Sequence, residues 1–557
     1  VANGIQTVNF TPSTFSVQVE REKKLGEDIM AHFESIKSDR GLLDTHLQEI
    51  SEVIIPNSKG FNSTETPGKK LMERVFDNTP IWANEQLAGA VHGMLVNPFQ
   101  RWFQLKMTNK PLNEERAVKL WLDEVEDIIY AVFADPVANF NSQSHSLFLE
   151  LAAFGTSPML IQPTPGISPG IRYTALPLRQ TYVLEGGDGT IDTAFIQLIM
   201  TVKQAIETYG EKNVSESMRK KGLKQPFSKV DIVVAIMPRI LRDITRIDNI
   251  NKPWASTHVE MDTKHVVKES GFDFFPMLVP RWTKRSGETY GRSPGMTALP
   301  DANMLNEQMR THLRAMQKIV DPPLLVPDDG YLLPIRTAPS SLNFFRTGQS
   351  KDDRIHPLIT NANWQASNLE LDSTRERILR AFFLDRFRLQ KEKIEMTRAE
   401  AVIRKEEDLQ QLSPTVGRLE TEFLNPLIDK TFTTLQKAGR IPPPPPEITK
   451  NDAIGIEYVS AIARAQKADE SNAVLRSIEV LTPIIQAQPD ILDNFNGDEI
   501  ARATEKWFGT PVKLYNSRDE VQQMRDQRQQ ANFENQGRED TLLTSEVAKN
   551  MEQARPS

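Results

Sequence analysis

The chain has 557 residues, with 67 Lys and Arg against 74 Asp and Glu and a formal net charge of −7. That length allows three or four domains and a sizeable core, and the mildly acidic balance excludes a histone-like or polybasic nucleic-acid coat. A composition of 39% hydrophobic and 25% charged residues excludes a disordered chain, and the absence of cysteine removes disulfides, thiolate metal sites, cysteine nucleophiles and iron–sulfur clusters.

A cysteine-free chain fits assembly in a reducing cytoplasm. No run of 18 apolar residues occurs, so neither a spanning helix nor a membrane partner is expected. The opening residues, VANGIQTVNF, have neither the basic nor the apolar region of a secretory signal.

In chain order, Val17 to Pro56 reads as two helices, the second with Leu42, Leu43, Leu47, Ile50 and Ile54 at helical spacing. A Gly-, Ser-, Thr- and Pro-rich loop, Asn57 to Lys70, separates them from a helical run over Ile81 to Val96. Phe103, Leu105 and Met107 alternate with polar residues as a half-buried strand does. Pro111 then opens an amphipathic helix striped with Val118, Leu122, Val125, Ile129 and Val132.

From about Pro158 to Lys284 the texture is that of strands. Gly186-Gly187-Asp188-Gly189 marks a hairpin, because glycine tolerates the positive φ of a tight turn. Further strands are expected at Val230 to Met237, Ser256 to Met261, His265 to Lys268 and Phe274 to Trp282, with short helices at Val202 to Tyr209 and Val214 to Lys221. This region reads as a mixed α+β domain.

After Pro300 long helices return. Asp301 is placed to cap one striped by Leu305, Met309, Leu313, Met316 and Val320, and Asp321-Pro322-Pro323 ends it. A Pro- and Gly-containing insertion, Pro322 to Asn368, leads to a second helix with Leu371, Ile378, Phe382 and Phe383. A long helical pattern from Thr397 to Ala438, bent at Pro414 and Gly417, closes in a polyproline spacer at Pro442 to Pro446. Asn451 to Phe508 reads as helices around Val474 to Ile485 and Glu499 to Phe508, and the Gln- and Arg-rich end as a solvated helix and a frayed tail.

Motifs of enzyme chemistry find little support. Gly291-Arg292-Ser293-Pro294-Gly295 matches G-x-S-x-G, but a nucleophile elbow takes an oxyanion-hole N–H from the residue after the serine, and Pro294 has none. Thr66-Pro67-Gly68-Lys69-Lys70 lacks both the upstream glycine and the Ser/Thr of a phosphate loop. His258 and His265 lie close together without further ligands and read as surface or turn histidines. Asp493 to Glu499 carries Phe495 where a calcium loop needs oxygen. No catalytic residue, metal or cofactor is expected.

One basic concentration stands out: Arg375, Arg377, Arg380, Arg386, Arg388, Lys391, Lys393 and Arg398, eight cations against Glu376, Asp385, Glu392 and Glu395. In a single copy it reads as a solvated face laced with ion pairs. Repeated around a ring axis, it becomes a collar able to touch phosphates.

Several segments together resemble a known family. They are Gln48-Glu49-Ile50-Ser51-Glu52 with Ile55-Pro56; Leu87-Ala88-Gly89-Ala90-Val91-His92-Gly93-Met94-Leu95 with Asn97-Pro98; Trp102-Phe103; and Phe154-Gly155-Thr156. The most specific run is Arg281-Trp282, Gly287-Glu288, Tyr290 to Met296, Leu299-Pro300-Asp301 and Leu305-Asn306. Pro322-Pro323-Leu324, Met396-Thr397 and the Leu427 to Pro446 passage complete it. In this order, from about Gly41 to Phe508, the chain resembles the head-to-tail connector, or portal, proteins of short-tailed bacteriophages.

The resemblance implies an α+β, predominantly helical fold with a mixed α/β wing, two stem helices, an inserted clip and a helical crown. It assigns the wing to 1–299 and 397–450, the stem to 300–321 and 369–388, the clip to 322–368, the tunnel loop to 389–396, and the crown and tail to 451–557. It also implies a dodecameric ring at one capsid vertex of the virion, assembled in the host cytoplasm. Double-stranded DNA would pass through it, and terminase, a tail adaptor, and capsid and scaffolding proteins would be its partners.

By that likeness Arg388, Lys391, Lys393 and Met396 approach DNA. Leu305, Met309, Leu313, Ile378 and Phe382 pack the stem and hold the ring. Lys351, Asp352, Asp353 and Arg354 form the partner surface of the clip, though an ordinary polar loop reads equally well there. The competing readings are a serine hydrolase around Ser293 and a non-portal scaffold or adaptor that binds through Pro442 to Pro446.

Overall fold

A computed structural model describes residues 12–56, 61, 72, 75–164, 170–246, 248–321, 324–325, 356–357, 364–387, 412–448, 453–458, 474, 476–477, 497–501, 516 and 520–531. In chain order the elements are α1 (Pro12–Asp39), α2 (Gly41–Val53), α3 (Thr79–Leu95), β1 (Phe103–Met107), α4 (Arg116–Ala134) and α5 (Phe140–Phe154). Next come β2 (Met159–Thr164), β3 (Gly170–Ala175), β4 (Thr181–Glu185), β5 (Ile191–Thr201), α6 (Val202–Tyr209), α7 (Glu216–Lys224), β6 (Lys229–Pro238), β7 (Trp254–Glu260), β8 (Val266–Phe272) and β9 (Met277–Leu278). The remainder are α8 (Pro294–Val320), β10 (Leu324–Leu325), β11 (His356–Pro357), α9 (Trp364–Ala381), α10 (Leu384–Phe387), α11 (Ser413–Leu419), α12 (Asn425–Lys437) and β12 (Ile454–Tyr458). A single π-helical turn, Glu420–Leu424, joins α11 to α12.

Two compact units divide the chain: residues 1–96 with 134–431, and 97–133 with 432–557. The first is built on a five-stranded antiparallel meander, β4-β5-β6-β7-β8. Successive strand residues point to opposite faces, so Val233 and Ala235 meet Ile29, Met30 and Phe33 of α1, while Val234 and Ile236 meet Leu160, Phe275, Met277 and Val279. With both faces covered, β6 is buried without a break from Ile232 to Ile236. The expected glycine hairpin joins β4 to β5, with Gly189 at φ +80°. Its backbone N–H donates to the Gly186 carbonyl.

Several expectations shift. Leu42 is exposed and only Leu47, Ile50 and Ile54 of its stripe are buried. The strand expected over Phe274 to Trp282 shrinks to Met277–Leu278. Helix α8 starts at Pro294, capped by Ser293, and Pro300 lies inside it; Asp301 is therefore no cap and pairs instead with Arg377. Pro414 sits in the first turn of α11, where a missing N–H costs nothing, and the irregularity expected at Pro414 and Gly417 falls at the π turn instead. The strand β12 precedes the helices expected around Val474 to Ile485 and Glu499 to Phe508, which fall mostly outside the described residues.

In the second unit, β12 pairs antiparallel with β1, from Phe103↔Tyr458 to Met107↔Ile454. Helix α4 holds β1 from the side. The Tyr130 hydroxyl accepts from the Trp102 and Phe103 N–H groups at 2.8 and 2.9 Å, and Glu126 Oε1 accepts from the Leu105 N–H at 2.6 Å. The rings of Phe103 and Tyr130 stack at 4.6 Å. The Trp121 indole donates to the Pro442 carbonyl at the head of the proline run.

Burial pushes the Glu126 carboxyl up to about 7, against the opposing hydrogen bond from Leu105. The folded state thus binds this proton more tightly than the unfolded state, whose value is near 4.5. The resulting stability is complete below that value and is lost as pH rises through about 7. Relative to Glu126→Gln, the wild-type chain should lose about 3 kcal/mol between pH 4.5 and 8 in urea unfolding. Parallel profiles for the two proteins would contradict this.

Candidate functional site

Two of the segments on which the sequence resemblance rests, Phe154-Gly155-Thr156 and the Arg281 to Met296 run, meet at the base of α8. Gly155 ends α5 at φ +81°, a left-handed conformation that side chains disfavour. A Cβ there would stand 2.5 Å from the Gly291 carbonyl oxygen, and one on Gly291 would stand 2.3 Å from that of Gly155. At Gly295 it would meet the Ala153 oxygen at 2.6 Å. Two backbones touch here, and only glycine permits the approach.

Hydrogen bonds close the same contact. The Trp282 N–H donates to the Gly155 carbonyl at 2.9 Å, and the Gly291 N–H to the Thr156 hydroxyl at 2.8 Å. Ser293, 3% exposed, donates to the Ala153 carbonyl at 2.7 Å and accepts from the Met296 N–H at 2.9 Å. Its hydroxyl is committed as the cap of α8 and as a tie to α5, so the G-x-S-x-G match is a structural seat. The hydrolase reading loses its nucleophile.

Arg281 locks the seat electrostatically. It is 3% exposed, and its guanidinium donates to both oxygens of Glu422 on the π turn, at 2.6 to 3.2 Å. It also donates to Glu185, to the Thr289 carbonyl at 3.2 Å and to the Gly189 carbonyl at 3.3 Å. Burial opposes its charge, but Glu422 and Glu185 outweigh that cost and raise its affinity for the proton. One side chain thereby ties the β4–β5 hairpin, the approach to α8 and the π turn together.

Above the seat α8 packs against α9. Leu305, Ile378 and Phe382 are fully buried within one chain, Met309 is half-buried and Leu313 is exposed. Leu305 of α8, Ile378 of α9 and Phe382 just beyond it are thus buried within one chain, whereas Leu313 is open to solvent. Thr374 donates to Gln308 at 3.2 Å, and His312 meets Ser367 at 3.2 Å.

The described part of the basic run is neutralised locally. Arg375 pairs with Asp77 and Asp372, Arg377 with Asp301, and Arg380 with Glu376. Burial opposes the Asp77 charge, but hydrogen bonds from Thr79 and Arg375 overcome it and hold its carboxyl below the usual value. Arg388, Lys391, Lys393 and Met396 lie outside the described residues, as do Lys351, Asp352, Asp353 and Arg354.

His265 lies in the turn between β7 and β8, as expected, and His258 does not. His258 is half-buried on β7, 2.9 Å from the Tyr209 hydroxyl, and burial pushes it down to about 4. His265 meets the Asn213 carbonyl at 3.1 Å. Among the described residues no group of three or more His, Asp or Glu converges for a metal ion, and no helix is long and apolar enough to cross a membrane.

Comparison with known proteins supplies the family. A family model described as bacteriophage head to tail connecting protein matches residues 27–515. A protein of Bordetella phage BPP-1 named "Probable portal protein" is 29% identical over 533 residues, which covers 93% of this chain and 94% of that protein. The portal protein of Salmonella phage epsilon15 is 27% identical over 511 residues, covering 90% and 91% respectively.

Two substitutions separate a seat from a catalytic site. Ser293→Ala should cost about 1–2 kcal/mol in denaturant unfolding, the worth of a cap and one buried hydrogen bond. Gly155→Ala, which adds left-handed strain and a backbone clash, should cost more than about 2 kcal/mol. Unchanged stability in both variants would refute the seat.

Proposed function

Because this chain belongs to the bacteriophage head-to-tail connecting protein family and functions as a phage portal, we propose that twelve copies close into a ring at one capsid vertex, around a channel through which double-stranded DNA enters and leaves. The ring is built in the host cytoplasm and carried into the virion. It is a structural conduit rather than a catalyst.

In this reading α8 and α9 belong to the stem (300–321 and 369–388), with the clip at 322–368 between them. The tunnel loop is 389–396, the wing is 1–299 with 397–450, and the crown and tail are 451–557. The clip docks the terminase during filling and a tail adaptor afterwards, through Lys351, Asp352, Asp353 and Arg354. Capsid and scaffolding proteins meet the outside of the ring.

The observation that carries ring closure is the distal half of α8. Leu313, Met316, Ile319 and Val320 recur at helical spacing on a helix about 40 Å long, and all four are exposed in the single chain. Such a stripe needs a partner. In a ring it is covered by a different surface of the next copy, the heterologous contact that closes on rotation. Burial of each aliphatic side chain contributes about 1.5–3 kcal/mol.

DNA handling follows from charge. Each copy carries −7, so the ring as a whole does not adhere to phosphate. Arg375, Arg377 and Arg380 are spent on carboxylates of the same chain. Arg388, Lys391 and Lys393 are the cations assigned to a local belt that grips the duplex while the remaining lining lets it slide.

The triple variant Leu313→Ser, Met316→Ser, Ile319→Ser should unfold like the wild type yet sediment as monomer or small oligomers. Wild-type rings from this variant would overturn the stripe as the ring contact. Replacement of Arg388, Lys391 and Lys393 by Ala should leave ring assembly intact and lower the fraction of filled particles that keep their DNA. Lost rings with normal retention in those that form would reject the belt.

A further inference from the structure

The connection between β6 and β7 inverts the usual arrangement of a surface loop. Its polar groups face one another: Asp243 Oδ1 accepts from the Thr245 N–H and hydroxyl at 3.0 and 2.6 Å, and the Asp243 N–H donates to Asn251 Oδ1 at 3.0 Å. Asp248 Oδ1 accepts from both nitrogens of Asn251, at 2.9 and 2.7 Å. At the base the Arg239 N–H donates to the Pro253 carbonyl at 2.7 Å, and its guanidinium pairs with Glu269 of β8. The apolar side chains point outward instead, with Ile240 93%, Leu241 91% and Ile244 81% exposed.

Solvent alone gives no reason to hold three large aliphatic side chains on a hydrogen-bonded tip. A loop ordered in advance loses little further entropy on docking. Beside the aliphatics stand Arg242, with no ion pair among the described residues, and Arg246, whose partner is the exposed Asp243 at 3.5 Å.

A second exposed apolar pair, Leu223 and Phe227, lies at the opposite end of β6, about 30 Å away. Residues 216–229 around it hold five cations against one carboxylate. Contact between these two patches in neighbouring copies would set like charges together, so charge argues against a second copy as the occupant through that pair. A nucleic-acid backbone offers the three aliphatic side chains no apolar surface to cover.

We propose that the tip formed by Ile240, Leu241, Arg242, Ile244 and Arg246 is a docking knob that seats in an apolar cleft rimmed by carboxylates on another protein of the particle. The inference rests on the portal reading. It adds a surface, distinct from the stem, that fixes the ring to its surroundings.

The test uses the full chain in two variants, Ile240→Ser with Leu241→Ser and Ile244→Ser, and Arg242→Glu with Arg246→Glu. Each is supplied in cells infected with phage lacking this gene. Ring formation is followed by electron microscopy, incorporation by copies per purified capsid shell, and lipid affinity by sedimentation with phosphatidylglycerol vesicles. Both variants should form normal rings and enter shells about tenfold less often than the wild type, with no vesicle binding by any of the three proteins. Wild-type incorporation overturns the knob. Loss of rings in the variants alone makes the loop a contact between copies, and vesicle binding that both variants lose makes it a lipid contact; either result also overturns the proposal. Failure of the wild-type chain itself to form rings counts against the portal reading instead.

Discussion

Everything near the base of α8 depends on two backbones being allowed to touch. Gly155, Gly291 and Gly295 carry no Cβ, and the carbonyls of Ala153, Gly155 and Gly291 occupy the space that one would need. The direction in which α8 departs from the end of α5 is set there. Ser293 then caps the helix, and Arg281 fastens the same place to the β4–β5 hairpin and to the π turn. A buried arginine holding two carboxylates adds little net stability but makes alternative placements costly, because each leaves a buried charge unpaired.

The two halves of α8 are chemically different. The proximal half buries Ala298, Leu299, Ala302 and Leu305 within its own chain. The distal half keeps an apolar stripe in water. An isolated copy gains nothing from that stripe, whereas a closed ring gains from it at every interface. Neutralisation of Arg375, Arg377 and Arg380 fits the same division. These arginines are spent on carboxylates within one chain, and Arg377 ties α9 to Asp301 of α8.

Much of the first unit was legible in the sequence, because its strands alternate, its hairpin carries Gly186 to Gly189, and α6 begins and ends where its apolar spacing does. The rest depended on long-range partners or on local signals that mislead. Helix α5 escapes notice because Asn141 to Ser146 are polar and its apolar residues cluster in the second half, so no stripe runs its length. Asp301 looked like a cap because Pro300 looks like a boundary, yet the helix accommodates that proline and begins at Ser293. Strand β12 has only five residues and finds β1 some 350 positions away, which its alternation alone cannot reveal. The pairing of Arg281 with Glu422 has no sequence signature. At the G-x-S-x-G motif Pro294 has no N–H to offer, and Ser293 is the cap of α8. The loop after β6 left a readable trace: isoleucines among arginines between Pro238 and Pro253, where a loop needs neither.

The most direct measurement is an electron-microscopy class average of the purified full-length chain, viewed down its symmetry axis. The account predicts a closed ring of identical subunits around an open channel wide enough for a duplex. A compact, solitary particle without a channel would contradict it.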